Sequence, residues 1–175
     1  MHRTVILVDE RDQAIGQADI VDAHTGEGQL HRAFSVYVFR KNGSDMLIQQ
    51  RSSKKMLWPL FWANTCCSHP FVGEDAATAG QRRLREELGF TCPLTPQSTF
   101  VYRAEDPGGR GVEHEHVTIL RGDVDDTAII PNSDEVADWK WIDVEELKID
   151  MRNTADRYAP WFHLGLPEAL GRVSK

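Results

Sequence analysis

One segment of this chain is committed to a helix, and it stands alone among stretches that read as strand. Residues 74–88, EDAATAGQRRLREEL, place Ala77, Gly80, Leu84 and Leu88 on one helical face, and Gly89 follows where a helix closes in the left-handed conformation. Glu74 and Asp75 stand at the positive end of the helix dipole. Before it, residues 3–9 (RTVILVD), 33–40 (AFSVYVFR) and 46–51 (MLIQQR) are rich in β-branched and aromatic side chains, as strands are. The last two are joined by KNGSD, with the Asn42-Gly43 turn signal. After the helix, strands are expected at 98–104, 115–121 and 136–142, and the tail from 143 reads as helical with breaks at Pro160 and Pro167. Residues 58–72 read as irregular. Strands on both sides of a central helix imply one α/β domain over residues 1–175, built on a mixed sheet.

Bulk properties narrow the function classes. With 175 residues, 41% hydrophobic and 27% charged, the chain is an ordinary globular one. No apolar run approaches the roughly 18 residues a membrane helix needs. The apolar start, MHRTVILVDE, is closed by Asp9 and Glu10 before it reaches signal-peptide length, so a cytoplasmic protein without a membrane partner is expected. A formal net charge of −7 argues against a nucleic-acid partner. It leaves room for a small phosphorylated ligand, which needs only a few local cations. The three cysteines, Cys66, Cys67 and Cys92, make a poor disulfide framework and are expected to be reduced.

Several side chains carry possible chemistry. In an extended Glu113-His114-Glu115-His116, the carboxylates face one way and the imidazoles the other. With His24, His31 and His69 they suit a divalent transition ion such as Zn²⁺ or Mn²⁺, and His114 and His116 remain candidate ligands on spacing alone. In ANTCCSHP, residues 63–70, a cysteine two residues from His69 can be a nucleophile, a metal ligand or an acid–base group. Two adjacent cysteines on extended backbone point apart, so one functional thiol and one packed thiol are expected, with Cys67 the functional one. Arg51, Lys54, Lys55, Arg82, Arg83 and Arg85 are candidate diphosphate ligands or a solvated face tied by Arg82–Glu86 and Arg83–Glu87 pairs. Glu86 and Glu87 oppose the dipole at the helix end, a placement that suits Mg²⁺ beside phosphates. Trp139 and Trp141 share a strand face, and Trp161 reads as core or as a pocket wall.

Taken together, WPLFWANTCCSHP and GEDAATAGQRRLREELG resemble type 1 isopentenyl diphosphate isomerases, a branch of the Nudix-fold superfamily, over about Val5 to Trp161. Arg82, Glu86, Glu87 and Gly89 keep the Nudix-box spacing, whereas Arg83 replaces the hydrolases' catalytic glutamate and Ser68 their leading glycine. The resemblance therefore implies an isomerase rather than a nucleotide hydrolase, and a Nudix-like α/β/α sandwich. A purely metal-binding or redox module would leave the cations unexplained. By resemblance, Cys67 and Glu115 are the acid–base pair, assisted by Tyr102. His24, His31, His69, Glu113 and Glu115 surround one divalent metal (Mn, Zn or Mg), and His114 and His116 drop out as ligands. Glu87 and the Cys67 main chain hold Mg²⁺ arriving with the diphosphate; Arg51, Lys55 and Arg83 contact that diphosphate, and Trp161 faces the isoprenoid. One departure is Ile20, where the family pattern has a lysine.

Overall fold

A computed structural model describes residues 4–171, so Arg3 of the first expected strand lies outside the described residues. The elements run β1 (Thr4–Val8), β2 (Ala14–Asp19), α1 (Ile20–Ala23), β3 (His31–Arg40), β4 (Asp45–Arg51), β5 (Trp62–Ala63), β6 (Cys66–Ser68), α2 (Ala76–Leu88), β7 (Thr95–Glu105), β8 (Val112–Asp123), β9 (Val136–Asp143), α3 (Val144–Asn153) and α4 (Pro160–Ala169). All nine strands among the described residues join one mixed sheet. β3 is parallel to β8 and antiparallel to β1, β4 and β6; β7 closes on β8, β9 on β4 and β2 on β1.

β3, in the middle of the sheet, is buried on both faces, which is why it shows no polar alternation. Its odd positions Ala33, Tyr37 and Phe39 enter a core shared with Leu147 and Met151 of α3 and Phe162 and Leu166 of α4. Its even positions Phe34, Val36 and Val38 enter a second core with Ala79, Leu84 and Leu88 of α2. The α/β/α sandwich expected from the sequence is thus present. α2 begins two residues later than expected because Asp75 is its cap, its carboxylate accepting the Thr78 N–H at 2.9 Å. Gly89 closes it at φ 76°. Gly80 is required by contact: a Cβ there would lie 2.7 Å from Leu94 and 2.9 Å from Leu120.

Two expectations are corrected. Residues 58–72 are not wholly irregular, since they supply β5 and β6. β3 and β4 pair directly only from Val38↔Leu47 to Arg40↔Asp45; beyond that they diverge, β6 pairing with β3 and β5 with β4. Thr65 sits at the apex of this fork, its hydroxyl accepting from Val38 N–H at 2.9 Å and donating to the Leu47 carbonyl at 2.6 Å. Strands of two and three residues carry no readable periodicity. Nor do the tail prolines both act as breaks: Pro160 starts α4 at its first turn, where no N–H is needed, and Pro167 lies inside it. No described helix is long and apolar enough to cross a membrane.

Candidate active site and metal centre

The register of the sheet assembles the site. His31 of β3 is opposite Glu115 of β8, and Glu115 is opposite Tyr102 of β7, so the three side chains leave one rung on one face. The Tyr102 hydroxyl donates to Glu115 Oε2 at 2.8 Å. Glu115 Oε1 lies 3.1 Å from His69 Nε2 and 3.7 Å from His31 Nε2. His69 follows β6 directly, and His24 caps the C-terminal end of α1. One donor atom from each of His24, His31, His69 and Glu115 falls within 4.8 Å of all the others.

This donor set fits a divalent ion. His24 Nδ1 is 2.6 Å from the Ile20 carbonyl and His31 Nδ1 is 2.7 Å from the Gln29 carbonyl, which places the proton on Nδ1 and aims Nε2 inward. His31 Nε2 and His69 Nε2 then face one another at 3.1 Å, an arrangement that calls for a cation between them. Glu113 reaches the group through His24, whose Nε2 it meets at 2.9 Å. Burial alone would lower the His24 pKa, but Glu113 raises it to about 9. Burial, with the His31 and His24 charges, pushes His69 down to about 4 despite Glu115. Burial and the Glu115 charge raise Glu113; burial would raise Glu115 as well, but its contacts with His31 and His69 hold it well below the carboxylate range. His114 bonds the Gly28 carbonyl and His116 lies 3.8 Å from Asp12, both away from the centre.

A cavity of about 370 Å³ opens against this group, walled by Cys67, Glu115, Tyr102, Trp161, Arg51, Lys55 and Arg83 among others. Cys66 is fully buried in the α2 core while Cys67 turns to the other face, as adjacent residues of β6 must. Burial pushes the Cys67 thiol up to about 12, opposed chiefly by Arg51, whose Nη1 is 3.8 Å from the sulfur. Arg51 is also the strut of the loop after β4, donating to the Leu57 carbonyl at 2.7 Å and the Trp58 carbonyl at 3.0 Å. Its guanidinium lies 5.1 Å from the Trp161 ring. Trp161 is 2% exposed, so it is both core and cavity wall. Glu87 stands behind the cavity, 1% exposed, one oxygen bonded to Arg83 and the other to Gln49 at 2.9 Å.

Sequence reasoning missed three supporting residues. Asn64 accepts the Trp161 indole N–H at 3.1 Å and donates to the Val36 and Cys66 carbonyls, tying the aromatic wall to the strand that carries Cys67. Its signal was its place inside ANTCCSHP. Asp106, in the β7–β8 turn, accepts the Trp58 N–H at 2.7 Å; Trp58 sits at φ 45°, and its ring meets Trp161 edge-on at 5.3 Å. Glu135 lines the cavity beside Lys55. Neither acidic residue carries a local sequence signal.

Comparison with known proteins bears on family and fold. The NUDIX domain model matches residues 29–162. An isopentenyl-diphosphate Delta-isomerase 2 of Photorhabdus laumondii is 42% identical over 93% of this chain and 89% of its own length. An isopentenyl-diphosphate Delta-isomerase of Burkholderia multivorans is 43% identical over 97% of this chain and 94% of its own. Among solved structures, a Deinococcus radiodurans protein superposes with a TM-score of 0.72, covering 99% of this chain and 100% of its own at 22% identity. A MutT protein of Methanosarcina mazei gives 0.63 over 82% of this chain and 94% of its own, at 13% identity. At such identity these two likenesses bear on the fold alone.

Proposed function

This chain belongs to the isopentenyl-diphosphate Delta-isomerase family, so its reaction interconverts isopentenyl and dimethylallyl diphosphate, and we propose that the proton transfers run between Cys67 and Glu115. The observation that carries the assignment is that the Cys67 thiol and the Glu115 carboxylate wall a single cavity. Moving a double bond requires a proton at one carbon and removal of one from another, through a tertiary carbocation that water would trap. An acid and a base lining one cavity, each largely shielded from solvent, meet that need.

In the forward direction Glu115, with the Tyr102 hydroxyl on its Oε2, gives a proton to the terminal carbon. Cys67 takes one from the carbon two positions from the diphosphate oxygen. The face of Trp161 stabilises the positive charge between them. The resting pair has a neutral thiol and an ionised carboxylate, which is the state from which the reverse direction starts. The forward direction begins once one proton has passed from sulfur to carboxylate, and Arg51 beside the sulfur favours the resulting thiolate. Arg51, Lys55 and Arg83 line the cavity where a small isoprenoid diphosphate would lodge its charged end. A Mn, Zn or Mg ion held by His24, His31, His69 and Glu115, with Glu113 on His24, would fix the carboxylate, and a Mg²⁺ arriving with the diphosphate would have to draw Glu87 away from Arg83 or Gln49 to be held there.

Cys67→Ser should lower turnover about 10²–10⁴-fold, the range of a lost acid–base group, with circular dichroism and metal content unchanged. Glu115→Gln should lower turnover comparably and also weaken metal retention. Near-normal turnover in either folded variant removes that residue from the reaction.

A further inference from the structure

Two of the cations that line the pocket, Lys55 and Arg83, are already engaged by a carboxylate that lines it with them. Glu135 Oε2 pairs with Lys55 Nζ, and its Oε1 lies 3.2 Å from Arg83 Nη2, so one side chain bridges both. The backbone sets this pairing: Ser52 N–H donates to the Glu135 carbonyl at 3.0 Å, and Lys55 N–H donates to the Ser52 carbonyl at 3.1 Å. Both residues are therefore fixed to one corner at the end of β4. Arg83 does not need Glu135, because it also pairs with Glu86 at 2.7 Å and with Glu87 on its own helix. Lys55 and Arg83 thus face three carboxylates, one of them shared with Arg82, at the place where an anion has to bind.

We propose that Glu135 is a resident counter-anion of the diphosphate subsite: its carboxylate holds Lys55 and Arg83 where phosphate oxygens will sit, and swings away when a diphosphate takes its place. The inference rests on the function proposed above. Binding there is an exchange of anions rather than simple capture, which makes Glu135 a specificity determinant. A diphosphate with Mg²⁺ brings enough oxygens to satisfy both cations, whereas a monophosphate or a carboxylate does not improve on the side chain it must displace. Burial would raise the Glu135 pKa, but Lys55 and Arg83 bring it down to about 2, so the side chain stays ionised throughout the working range. At 20% side-chain exposure, Lys55 and Glu135 are open to an incoming ligand.

Titration calorimetry with inorganic pyrophosphate and Mg²⁺ tests the exchange in wild type and Glu135→Gln. The variant should bind pyrophosphate about tenfold more tightly, since the ligand no longer displaces a charged competitor, and orthophosphate should gain more than pyrophosphate does. KM for isopentenyl diphosphate should fall without a rise in kcat. Unchanged or weaker pyrophosphate binding by the folded variant overturns the proposal, and loss of Mg²⁺ dependence makes Glu135 a metal ligand instead. Should the variant not fold, a crystal structure of wild type with pyrophosphate decides: Glu135 still on Lys55 beside bound pyrophosphate overturns the exchange. A wild type that binds neither pyrophosphate nor isopentenyl diphosphate defeats the reading of the site itself, a different failure from a binding wild type whose variant does not tighten.

Discussion

Replacing Asp106 tests whether a residue that does not line the cavity nonetheless sets its shape. Its carboxylate accepts the Trp58 N–H at 2.7 Å, the Gly108 N–H at 2.9 Å and the Arg110 Nε–H at 2.7 Å. Trp58 is held at φ 45°, a left-handed conformation that costs a non-glycine residue about 1–2 kcal/mol. Its N–H is buried, so losing the carboxylate leaves it without a partner. Counting the Trp58 and Gly108 donors at about 1.5–3 kcal/mol each for a charged acceptor, and discounting half-exposed Arg110, Asp106→Ala should cost about 3–6 kcal/mol. Asp106→Asn, which keeps one acceptor oxygen, should cost less. The cost should also depend on pH. Burial would raise the Asp106 pKa, but Arg110 and the backbone donors bring it below the usual value. A depressed carboxylate stabilises the fold above its unfolded pKa of about 3.9 and loses that contribution as pH falls through the folded value. Urea denaturation midpoints for wild type and Asp106→Asn should therefore converge in acid and separate toward neutrality. Turnover of the variants should fall as well, because freeing Trp58 removes its edge-on contact with Trp161. An Asp106→Ala cost below about 1 kcal/mol, or a wild-type advantage that does not change with pH, refutes the reasoning.

Tyr102→Phe should reduce kcat about tenfold or more with little change in KM, since it removes only the 2.8 Å bond to Glu115; steady-state kinetics would show it. Asn64→Ala leaves the Trp161 N–H and the Val36 and Cys66 carbonyls without their partner, and should lower stability by about 2–4 kcal/mol in urea denaturation. Metal affinity should weaken as pH falls, because an ion at the histidine centre displaces the proton that Glu113 holds on His24 up to about pH 9; competition titrations at two pH values measure this. Tyr37→Phe should be neutral or slightly stabilising in the same denaturation assay, because the Tyr37 hydroxyl is buried without a hydrogen-bond partner.

The parts of this molecule that were legible in its sequence are those with a period or a dense motif. α2 announced itself through one apolar face and Gly89, and the long strands through β-branched runs. The opposed directions of Cys66 and Cys67, and of Glu113-Glu115 against His114-His116, follow from strand alternation alone. The convergence of His24, His31 and His69 is different, because it depends on β3 lying parallel to β8 and on the fork that lets β6 enter beside β3. No local pattern encodes either, and only the family resemblance pointed there. Glu135 and Asp106 were invisible for a related reason. Each meets its partner across 80 and 48 residues respectively, through loops whose path the packing decides.

Deuterium incorporation gives the most direct test of the account. Isopentenyl diphosphate incubated in deuterated water with the metal-loaded wild type should yield dimethylallyl diphosphate labelled at the new methyl group. The folded Cys67→Ala variant should form essentially none, since no thiol remains to take up the second proton. Labelled product at near wild-type rate from that variant would show that the thiol lining the cavity with Glu115 is not the group that handles the proton.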